Sequence, residues 1–432
     1  MHVLFCSSGI NSLGETLSLA SFAKELISCG HQCSFIAPVL AKNYLLTFGF
    51  NSNSILTLQS RDKIVENSSE NQNYNLFKEF MKVVSPDIVL SSDWHGFSKD
   101  DIFTNKSFSI EWISDKILMG TFDHYAYAPF GKQSTLTTCT NVIKRIYEPV
   151  PERYSFIIRP CPHNKNLNQF ENNIYYWGIF KGKLIRNIGL GKSIRKKNTI
   201  KKTKVVFQPV GFWQELEINK IFRENNIDCC YYSDIFLPLM LDYLSNIDHE
   251  IQYYFISGKY KEVKKSRHGN VTLIEKPPLP NQEYNDLLSV SDIFICDNII
   301  NASLGKAVFG NIIPIVFKNS VTINNTLNLN ASFKIEDDVV DKISILIKKK
   351  LIYPYKIFPN GFNDISEMYL SNNFHQCFLE QEIFDKKGTI ELLYKSLDDL
   401  SFKKNIITDQ NNYIGYNTAL MSAEQILQTF LN

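Results

Sequence analysis

The chain has 432 residues, 44% of them hydrophobic and 21% charged, and its formal net charge is +2 at pH 7. This length and this composition are typical of a globular protein of two or three domains. A net charge so close to zero argues against wholesale affinity for nucleic acid or for a membrane surface, so we expect neither as a partner.

The first half of the chain predicts alternating strands and helices. A strand over 3–6 starts without the basic residues of a signal peptide. A polar turn with two glycines follows it, and the apolar residues of 16–29 then recur at helical spacing. Further strands are predicted over 33–38, 87–90 and 116–122, with a helix over 75–84. This β-α-β order indicates a doubly wound parallel sheet.

A basic segment over 189–204 separates the first half from the second. It lacks interleaved aromatic residues, so we interpret it as a solvated linker and hinge rather than as a patch that binds nucleic acid. The β-α-β pattern restarts after it and predicts a second doubly wound domain. Strands are expected over 205–208, 251–256, 271–274, 293–296 and 312–317, and helices over 215–225, 234–244, 281–289, from about 303, 339–349, 365–379, 387–397 and 417–431. We expect domains over 1–195 and 204–412, followed by a helical segment 413–432 that packs on the first domain.

Several motifs are missing from the sequence. The nine cysteines show no spacing typical of a metal site or a disulfide framework, and no Asp-x-Asp pair is present to hold Mg²⁺. The phosphate-binding P-loop motif and the Gly-x-Ser-x-Gly motif of hydrolases are also missing. No apolar run reaches the roughly 18 residues of a membrane-spanning helix. We therefore expect a cytoplasmic protein with no metal, no cofactor and no membrane span.

Polar residues follow three predicted strands of the first domain, where ligands of open α/β sheets bind. A carboxylate, or a histidine beside an aspartate, could act there as a general base. The candidates for this role are Glu15, His95, Asp123 and His124, and the candidates for acceptor binding are Gly9, Ser12, Gly14, Asp93, Trp94 and Tyr125. Other interpretations remain open: Glu15 as a partner of the helix dipole, His95 as a surface histidine, and 123–127 as an aromatic corner of the core.

In the second domain, the turn over 297–302 ends where a helix begins, and such a helix start suits a phosphate. Asn298, Asn301, Ser303 and Leu304 are the predicted phosphate contacts. Ordinary capping of the helix is the alternative interpretation. Asp297 is not expected to contact a phosphate directly, because like charges repel.

Three stretches resemble motifs of the GT-B glycosyltransferases. They are SSGINSLGE at 7–15, VVFQPVGFWQ at 205–214 and the segment over 275–317, which begins EKPPLP and ends IIPIVF. The chain is similar in particular to the group of the lipid-II N-acetylglucosaminyltransferase and the nucleotide-sugar 2-epimerases. The resemblance implies an α/β protein of two Rossmann-like doubly wound domains facing a cleft, with a C-terminal helix crossing back to the first domain.

The resemblance also implies roles for the two domains. The first would bind the acceptor, with Glu15 where related enzymes place a His, Asp or Glu, and the second would bind the nucleotide-sugar donor. Gly211 and Phe212 would face the diphosphate and the base. Leu279 lies in the proline-rich loop that resembles the one holding the nucleobase through backbone groups. Lys306 stands in the helix where the family commonly has a glutamate for the donor ribose.

The activity expected from this resemblance is transfer of a sugar from a nucleotide-activated donor to a small-molecule, peptide or glycan acceptor. We expect the transfer to invert the anomeric centre without a metal, and the co-substrate to be a UDP- or dTDP-linked sugar. A nucleotide-sugar 2-epimerase-like enzyme and a non-enzymatic, ligand-binding relative of the fold are the two alternatives.

Overall fold

A computed structural model provides the coordinates of the protein. It describes residues 1–8, 13–58, 68–97, 108–137, 142–161, 173–180, 203–211, 215, 219, 222–227, 232–299, 301–350 and 373–430. Three predicted site residues, Gly9, Ser12 and Phe212, lie outside the described residues, as do most of the predicted linker over 189–204 and parts of the helices predicted over 215–225 and 365–379.

The helices and strands alternate along most of the chain. The strands are β1 (His2–Cys6), β2 (Gln32–Ile36), β3 (Ile55–Leu56), β4 (Ile88–Ser91), β5 (Leu118–Phe122), β6 (Lys132–Thr137), β7 (Val142–Tyr147), β8 (Phe156–Cys161), β9 (Ile174–Gly178), β10 (Lys204–Pro209), β11 (Ile251–Ile256), β12 (Lys264–His268), β13 (Val271–Lys276), β14 (Ile293–Cys296), β15 (Ile313–Lys318), β16 (Thr322–Ile323), β17 (Leu329–Asn330) and β18 (Leu379–Glu382). The α-helices are α1 (Gly14–Ser28), α2 (Val39–Thr47), α3 (Ser68–Val84), α4 (Tyr232–Ser245), α5 (Asn281–Val290), α6 (Ala302–Phe309), α7 (Asp337–Lys342), α8 (Ser344–Lys348), α9 (Lys386–Asp398), α10 (Leu400–Thr418) and α11 (Ala423–Gln428).

The chain divides into two compact units. Unit 1 contains Met1–Ser134, Ile146–Lys181 and Tyr416–Asn432, and unit 2 contains Thr135–Arg145 and Gly182–Gly415. The domain limits at residues 195, 204 and 412 stay a prediction.

Unit 1 is built on a parallel sheet with strand order β3-β2-β1-β4-β5-β8-β9. The chain moves outward from β1 to β2 and β3, then returns to place β4 on the other side of β1. The boundary between β1 and β4 is therefore a topological switch point, where ligands of such sheets bind. Strands β6 and β7, which extend into the Thr135–Arg145 segment of unit 2, form a separate two-stranded sheet.

The core of unit 1 is aromatic, which explains why β5 carries a glycine. The ring of Phe156 lies so close to Gly120 that a Cβ atom there would be 2.4 Å from Phe156 Cε2. The Phe156 ring also stacks on the Phe430 ring, with ring centroids 4.2 Å apart. A larger residue at position 120 would therefore disturb both the sheet and the C-terminal segment.

The C-terminal segment packs on unit 1, as predicted. Ala423, Ile426 and Leu427 of α11 lie in the same core cluster as α1. The Glu25 carboxylate of α1 accepts hydrogen bonds from Trp177 Nε1 and from the Ala423 N–H, both at 2.9 Å. This contact places a negative charge at the positive end of α11.

The predicted single helix over 417–431 is wrong in its limits. Helix α10 runs to Thr418, and α11 starts afresh after Ser422. The Ser422 hydroxyl accepts from the Gln425 N–H and the Gln425 side chain accepts from the Ser422 N–H. This capping box satisfies the first N–H groups of a new helix and so favours a break there.

Unit 2 repeats the architecture with strand order β12-β13-β11-β10-β14-β15-β18. All its neighbouring strands are parallel except β12, which runs antiparallel to β13. Its switch point lies between β10 and β14, by the same argument as in unit 1. The strands predicted over 251–256 and 293–296 are confirmed at their limits as β11 and β14.

Two predicted helices of unit 2 differ from the structure. The helix expected over 365–379 is wrong at its end, because residues 373–377 form a 3₁₀ turn and Leu379 begins β18, which pairs with β15. The helix expected over 339–349 is divided at Ile343 into α7 and α8. Among the described residues, no helix is both long and apolar enough to span a bilayer.

Candidate functional site

A network of hydroxyl groups and one carboxylate lies at the switch point of unit 1. The Ser8 hydroxyl, just after β1, donates to Glu15 Oε2 at 3.1 Å and lies 2.9 Å from the Ser92 hydroxyl, which follows β4. The Ser8 N–H also donates to Ser92 Oγ at 3.0 Å. These contacts tie the ends of β1 and β4 to the first turn of α1, and we name Ser8, Glu15 and Ser92 the switch-point network.

The start of α1 explains the position of Glu15. Gly14, one of the predicted acceptor-binding residues, is the first residue of this helix. The N-terminus of the helix has no side-chain cap. A carboxylate in the first turn is stabilised by the helix dipole. Glu15 remains half-buried, with Ser8 orienting one of its oxygens. The arrangement holds a negatively charged oxygen in place where the sheet is expected to bind ligands.

The loop after β4 buries its predicted site residues. Asp93 Oδ1 accepts from the His95 N–H at 2.9 Å, and the rings of Trp94 and His95 lie 3.8 Å apart. Trp94 belongs to a core cluster and donates from Nε1 to the Glu148 carbonyl at 3.0 Å. Burial lowers the pKa of His95 to about 3. His95 is therefore neutral at physiological pH and is a weak base.

Asp123 is the centre of a buried structural contact. It forms an ion pair with Arg159, Nε to Oδ2 at 3.1 Å, and both side chains are almost completely buried. Asp123 also accepts from the N–H groups of Tyr125, Tyr127 and Ala128 at 3.1–3.3 Å. Arg159 in turn donates to the Ala128 carbonyl at 2.8 Å. Both oxygens of Asp123 are thus used to fold the loop after β5, which argues against the predicted role of Asp123 as a base.

His124 is held by α1 on the side facing the sheet. Its Nε2 atom lies 2.9 Å from Ser18 Oγ, and the Ser18 hydroxyl also bonds to the Gly14 carbonyl at 3.3 Å. Both contacts form together when His124 carries its proton on Nε2, because the Ser18 hydroxyl can then donate to the Gly14 carbonyl and accept from the ring. Its Nδ1 atom is buried and has no hydrogen-bond partner among the described residues. Burial lowers the pKa of His124 to about 4, so the ring is neutral above that pH.

Tyr125 is the predicted acceptor contact that remains partly accessible in this loop. Its ring is half-buried and lies 5.7 Å from the ring of Tyr127. Such a pair of aromatic rings could stack on an apolar face of a ligand.

The switch point of unit 2 carries the start of α6. Asn301 caps this helix, with its Oδ1 atom accepting from the Ser303 N–H at 2.8 Å, while the Leu304 N–H bonds to the Asn301 carbonyl at 2.9 Å. Asn298 is buried, and its carbonyl accepts from Cys296 Sγ at 3.5 Å. The Leu304 side chain is fully buried and so faces the core. A phosphate at this terminus must therefore compete with the Asn301 cap.

Two other residues predicted to contact the nucleotide-sugar donor, Gly211 and Leu279, lie at the same edge of the unit 2 sheet. Gly211 follows β10, and its carbonyl accepts from the Glu215 N–H at 3.1 Å. Leu279 is half-buried in the loop that joins β13 to α5. The buried Glu215 carboxylate accepts from the Ser257 hydroxyl and from the Gly258 N–H after β11. Burial raises the pKa of Glu215, although these hydrogen bonds and Lys259 oppose the shift.

Several residues of these sites have no local signal in the sequence. Ser92 meets Ser8 across 84 positions, and Arg159 meets Asp123 across 36. Asn281 and Asn285 likewise meet Lys306 only because α5 packs beside α6. Within the described part of the chain, no group of three or more His, Cys, Asp or Glu side chains could hold a metal ion.

Comparisons with known proteins identify a family and a fold. A family model described as "Family of unknown function (DUF6365)" matches residues 22–432. No curated protein matches the sequence.

Three solved structures are similar over their whole lengths. The spinosyn forosaminyltransferase SpnP has a TM-score of 0.53 and 11% identity, covering 100% of this chain and 98% of that chain. The spinosyn rhamnosyltransferase SpnG, complexed with thymidine diphosphate, has a TM-score of 0.50 and 9% identity, covering 100% of both chains. UGT89C1 of Arabidopsis thaliana, complexed with quercetin, has a TM-score of 0.51 and 10% identity, covering 100% of this chain and 98% of that chain. These similarities confirm the predicted GT-B fold.

Proposed function

The chain belongs to DUF6365, a family of unknown function, and we propose that it is a glycosyltransferase that uses a nucleotide-activated sugar. The observation that carries the proposal is the switch-point network, which holds a carboxylate at the ligand-binding edge of a GT-B domain. The transferase names of similar structures support it at the level of the fold.

Glu15 is the proposed general base. Of the four candidates, Asp123 is used by Arg159 and three backbone N–H groups, and burial lowers the pKa of both His95 and His124. Glu15 is half-buried, so an acceptor hydroxyl can reach it, and the Ser8 hydroxyl orients it. A carboxylate positioned this way can remove the proton of an attacking alcohol.

The proposed reaction is a single displacement. The acceptor oxygen forms a bond to the anomeric carbon of the donor sugar while the bond from that carbon to the diphosphate oxygen breaks. The acceptor proton passes to Glu15, and the nucleoside diphosphate leaves with the bonding electrons. One attack from the opposite side inverts the anomeric centre, and this scheme requires no metal.

Unit 2 is the proposed donor site. Helix α6 starts at its switch point, and the positive end of a helix stabilises the negative charge that grows on a leaving diphosphate. Thymidine diphosphate in the complex of SpnG motivates dTDP as a donor nucleotide beside UDP. We propose a UDP- or dTDP-linked sugar as the co-substrate.

The donor proposal can be tested by thermal-shift measurements with UDP, dTDP, GDP and CMP. A ligand that binds only the folded protein raises its melting temperature, and the rise grows with the ratio of ligand concentration to Kd. We expect a rise with UDP or dTDP and a smaller rise with the corresponding nucleoside, because the diphosphate contributes to binding. Equal melting temperatures with all four nucleotides and without ligand would contradict the proposed donor site.

A further inference from the structure

Lys306 is a buried lysine in the second turn of α6. Only 9% of the residue is exposed. Its Nζ atom donates to Asn281 Oδ1 at 3.1 Å and to Asn285 Oδ1 at 3.0 Å, and it lies 5.5 Å from the centroid of the Tyr284 ring. These partners are all uncharged. Among the described residues, the ammonium group of Lys306 therefore has hydrogen bonds but no carboxylate to neutralise it.

A buried cation of this kind is costly to keep. Removing an ammonium group from water is unfavourable, and proteins usually compensate with a paired acid. Burial accordingly lowers the pKa of Lys306 to about 8, so the group is still mostly protonated at neutral pH. An ammonium group has three N–H donors, and the two asparagine oxygens account for two of them. Among the described residues, the third N–H donor of Lys306 has no hydrogen-bond partner.

The charge of Lys306 lies beside the N-terminus of helix α5. Asn281 is the first residue of α5 and Asn285 lies one turn later, so the ammonium group sits beside the N-terminal turn of that helix. The positive end of α5 and the lysine repel each other, and an anion between them would relieve the repulsion. The acid in this turn, Glu283, is already paired with Lys276.

The same place is next to the switch point of unit 2. The Tyr284 ring of α5 contacts Phe207 of β10, with centroids 5.0 Å apart. Helix α6 is the next helix after β14 along the chain. Strands β10 and β14 are the two strands that flank the switch point. The ammonium group of Lys306, beside the Tyr284 ring, therefore lies near the strands between which the sheet is expected to bind its ligand.

We propose that Lys306, held by Asn281 and Asn285, binds an anionic oxygen of the donor at the switch point of unit 2. The inference rests on the proposed donor site and names a residue that determines what that site accepts. The anionic oxygen belongs to the diphosphate of the nucleotide or to a carboxylate on the donor sugar. We favour the diphosphate, because it is common to all the proposed donors.

The test is isothermal titration of wild-type protein and of Lys306→Met, Lys306→Gln and Lys306→Arg. The probes are inorganic pyrophosphate, UDP, dTDP, uridine and thymidine. We expect Lys306→Met to weaken the binding of pyrophosphate at least ten-fold, and to weaken equally the binding of whichever nucleoside diphosphate the wild type binds. The affinity for the corresponding nucleoside should be unchanged. Lys306→Arg should retain most of the affinity, because it keeps the charge. Lys306→Gln keeps a hydrogen-bond donor for the asparagines, so it carries the test if the methionine variant does not fold.

A matched control is Lys204→Met in the same unit. Lys204 is also largely buried, but it pairs with Asp398 at 3.3 Å and lies at the opposite end of β10. We expect this variant to bind pyrophosphate as the wild type does. A general loss of stability from removing a buried lysine would instead affect both variants.

Two further probes, UDP-glucose and UDP-glucuronic acid, distinguish the diphosphate from a sugar carboxylate as the source of the anionic oxygen. A loss in Lys306→Met confined to UDP-glucuronic acid would support the proposal with the sugar carboxylate as the partner. Unchanged affinity of the Met and Gln variants for every probe would overturn the inference, while wild-type binding of UDP or dTDP would leave the proposed function standing. Wild-type protein that binds none of the probes would overturn both.

Discussion

At the scale of single residues, the strongest claim concerns Glu15. We expect Glu15→Gln to lower kcat by about 10²–10⁴ and to leave donor affinity nearly unchanged, because the amide keeps the contact with Ser8 but cannot accept the proton. The measurement is the rate of nucleoside diphosphate release in the presence of acceptor, together with the Kd of the donor. Glu424→Gln is a suitable control, since Glu424 is likewise an acid in the first turn of a helix of unit 1. A kcat of Glu15→Gln equal to that of the control would remove Glu15 as the base.

His124 leads to a prediction about pH. Burial lowers the pKa of His124 from its ordinary value of 6.5 to about 4 in the folded protein. Between these pH values the unfolded chain binds a proton that the folded protein does not, so stability falls as the pH falls from 6.5 towards 4. The buried His95 contributes in the same direction, with a pKa of about 3.

We therefore expect the melting temperature to decrease on acidification through this window, and less steeply in His124→Asn than in the wild type. His268→Asn, which changes an exposed histidine on β12, serves as the control and should follow the wild-type curve. Parallel pH curves for all three proteins would show that the buried ring of His124 does not contribute.

At the scale of helices and strands, the packing of β5 is the most sensitive test. A Cβ at position 120 would lie 2.4 Å from the Phe156 ring, which also stacks on Phe430. We expect Gly120→Ala to reduce the free energy of unfolding by about 1–3 kcal/mol, because the ring has little room to move. Urea unfolding monitored by circular dichroism measures the change.

Gly415→Ala is the matched control for Gly120→Ala. Gly415 lies within α10, and a Cβ there would meet nothing within 4 Å. Alanine in a helix is favoured over glycine by about 1 kcal/mol, so this variant should be as stable as the wild type or more stable. Equal stability of the two alanine variants would contradict the described packing of β5.

The sequence predicted the limits of β11 and β14 correctly, but it did not predict strands β3, β8, β9, β12 and β18. The apolar runs of β11 and β14 are bounded by polar residues, so their limits could be read directly. The C-terminal region offered no such boundaries: α10 carries polar residues throughout, and its break from α11 depends on a capping box. The exposed strand β12 has no buried residue, so it lacks the alternating pattern that reveals a strand.

The same distinction applies to the sites. Glu15 and the start of α6 could be predicted because a turn and a helix start are local in sequence. The partners that decide their chemistry could not: Ser92 orients Ser8 from another strand, Arg159 neutralises Asp123, and Lys306 meets its asparagines on a neighbouring helix. Such contacts arise from tertiary packing, which a single sequence does not display.

At the scale of the whole molecule, the chain contains two doubly wound sheets, each with its own switch point. The site in unit 1 offers a carboxylate held by hydroxyl groups, and the site in unit 2 offers a buried cation and two helix starts. Complementary chemistry of this kind suits a reaction with two substrates, one of which must lose a proton and one of which carries a diphosphate.

Release of nucleoside diphosphate from a panel of UDP- and dTDP-linked sugars distinguishes a glycosyltransferase from a protein that only binds the nucleotide sugar. Release is measured with wild-type protein and Glu15→Gln, with and without a mixture of small-molecule, peptide and glycan acceptors, and the sugar-bearing product is identified by mass spectrometry. We expect release from at least one donor that increases with acceptor and is largely lost in Glu15→Gln. Binding of a nucleotide sugar with no release and no sugar-bearing product under any of these conditions would contradict the proposed transferase activity.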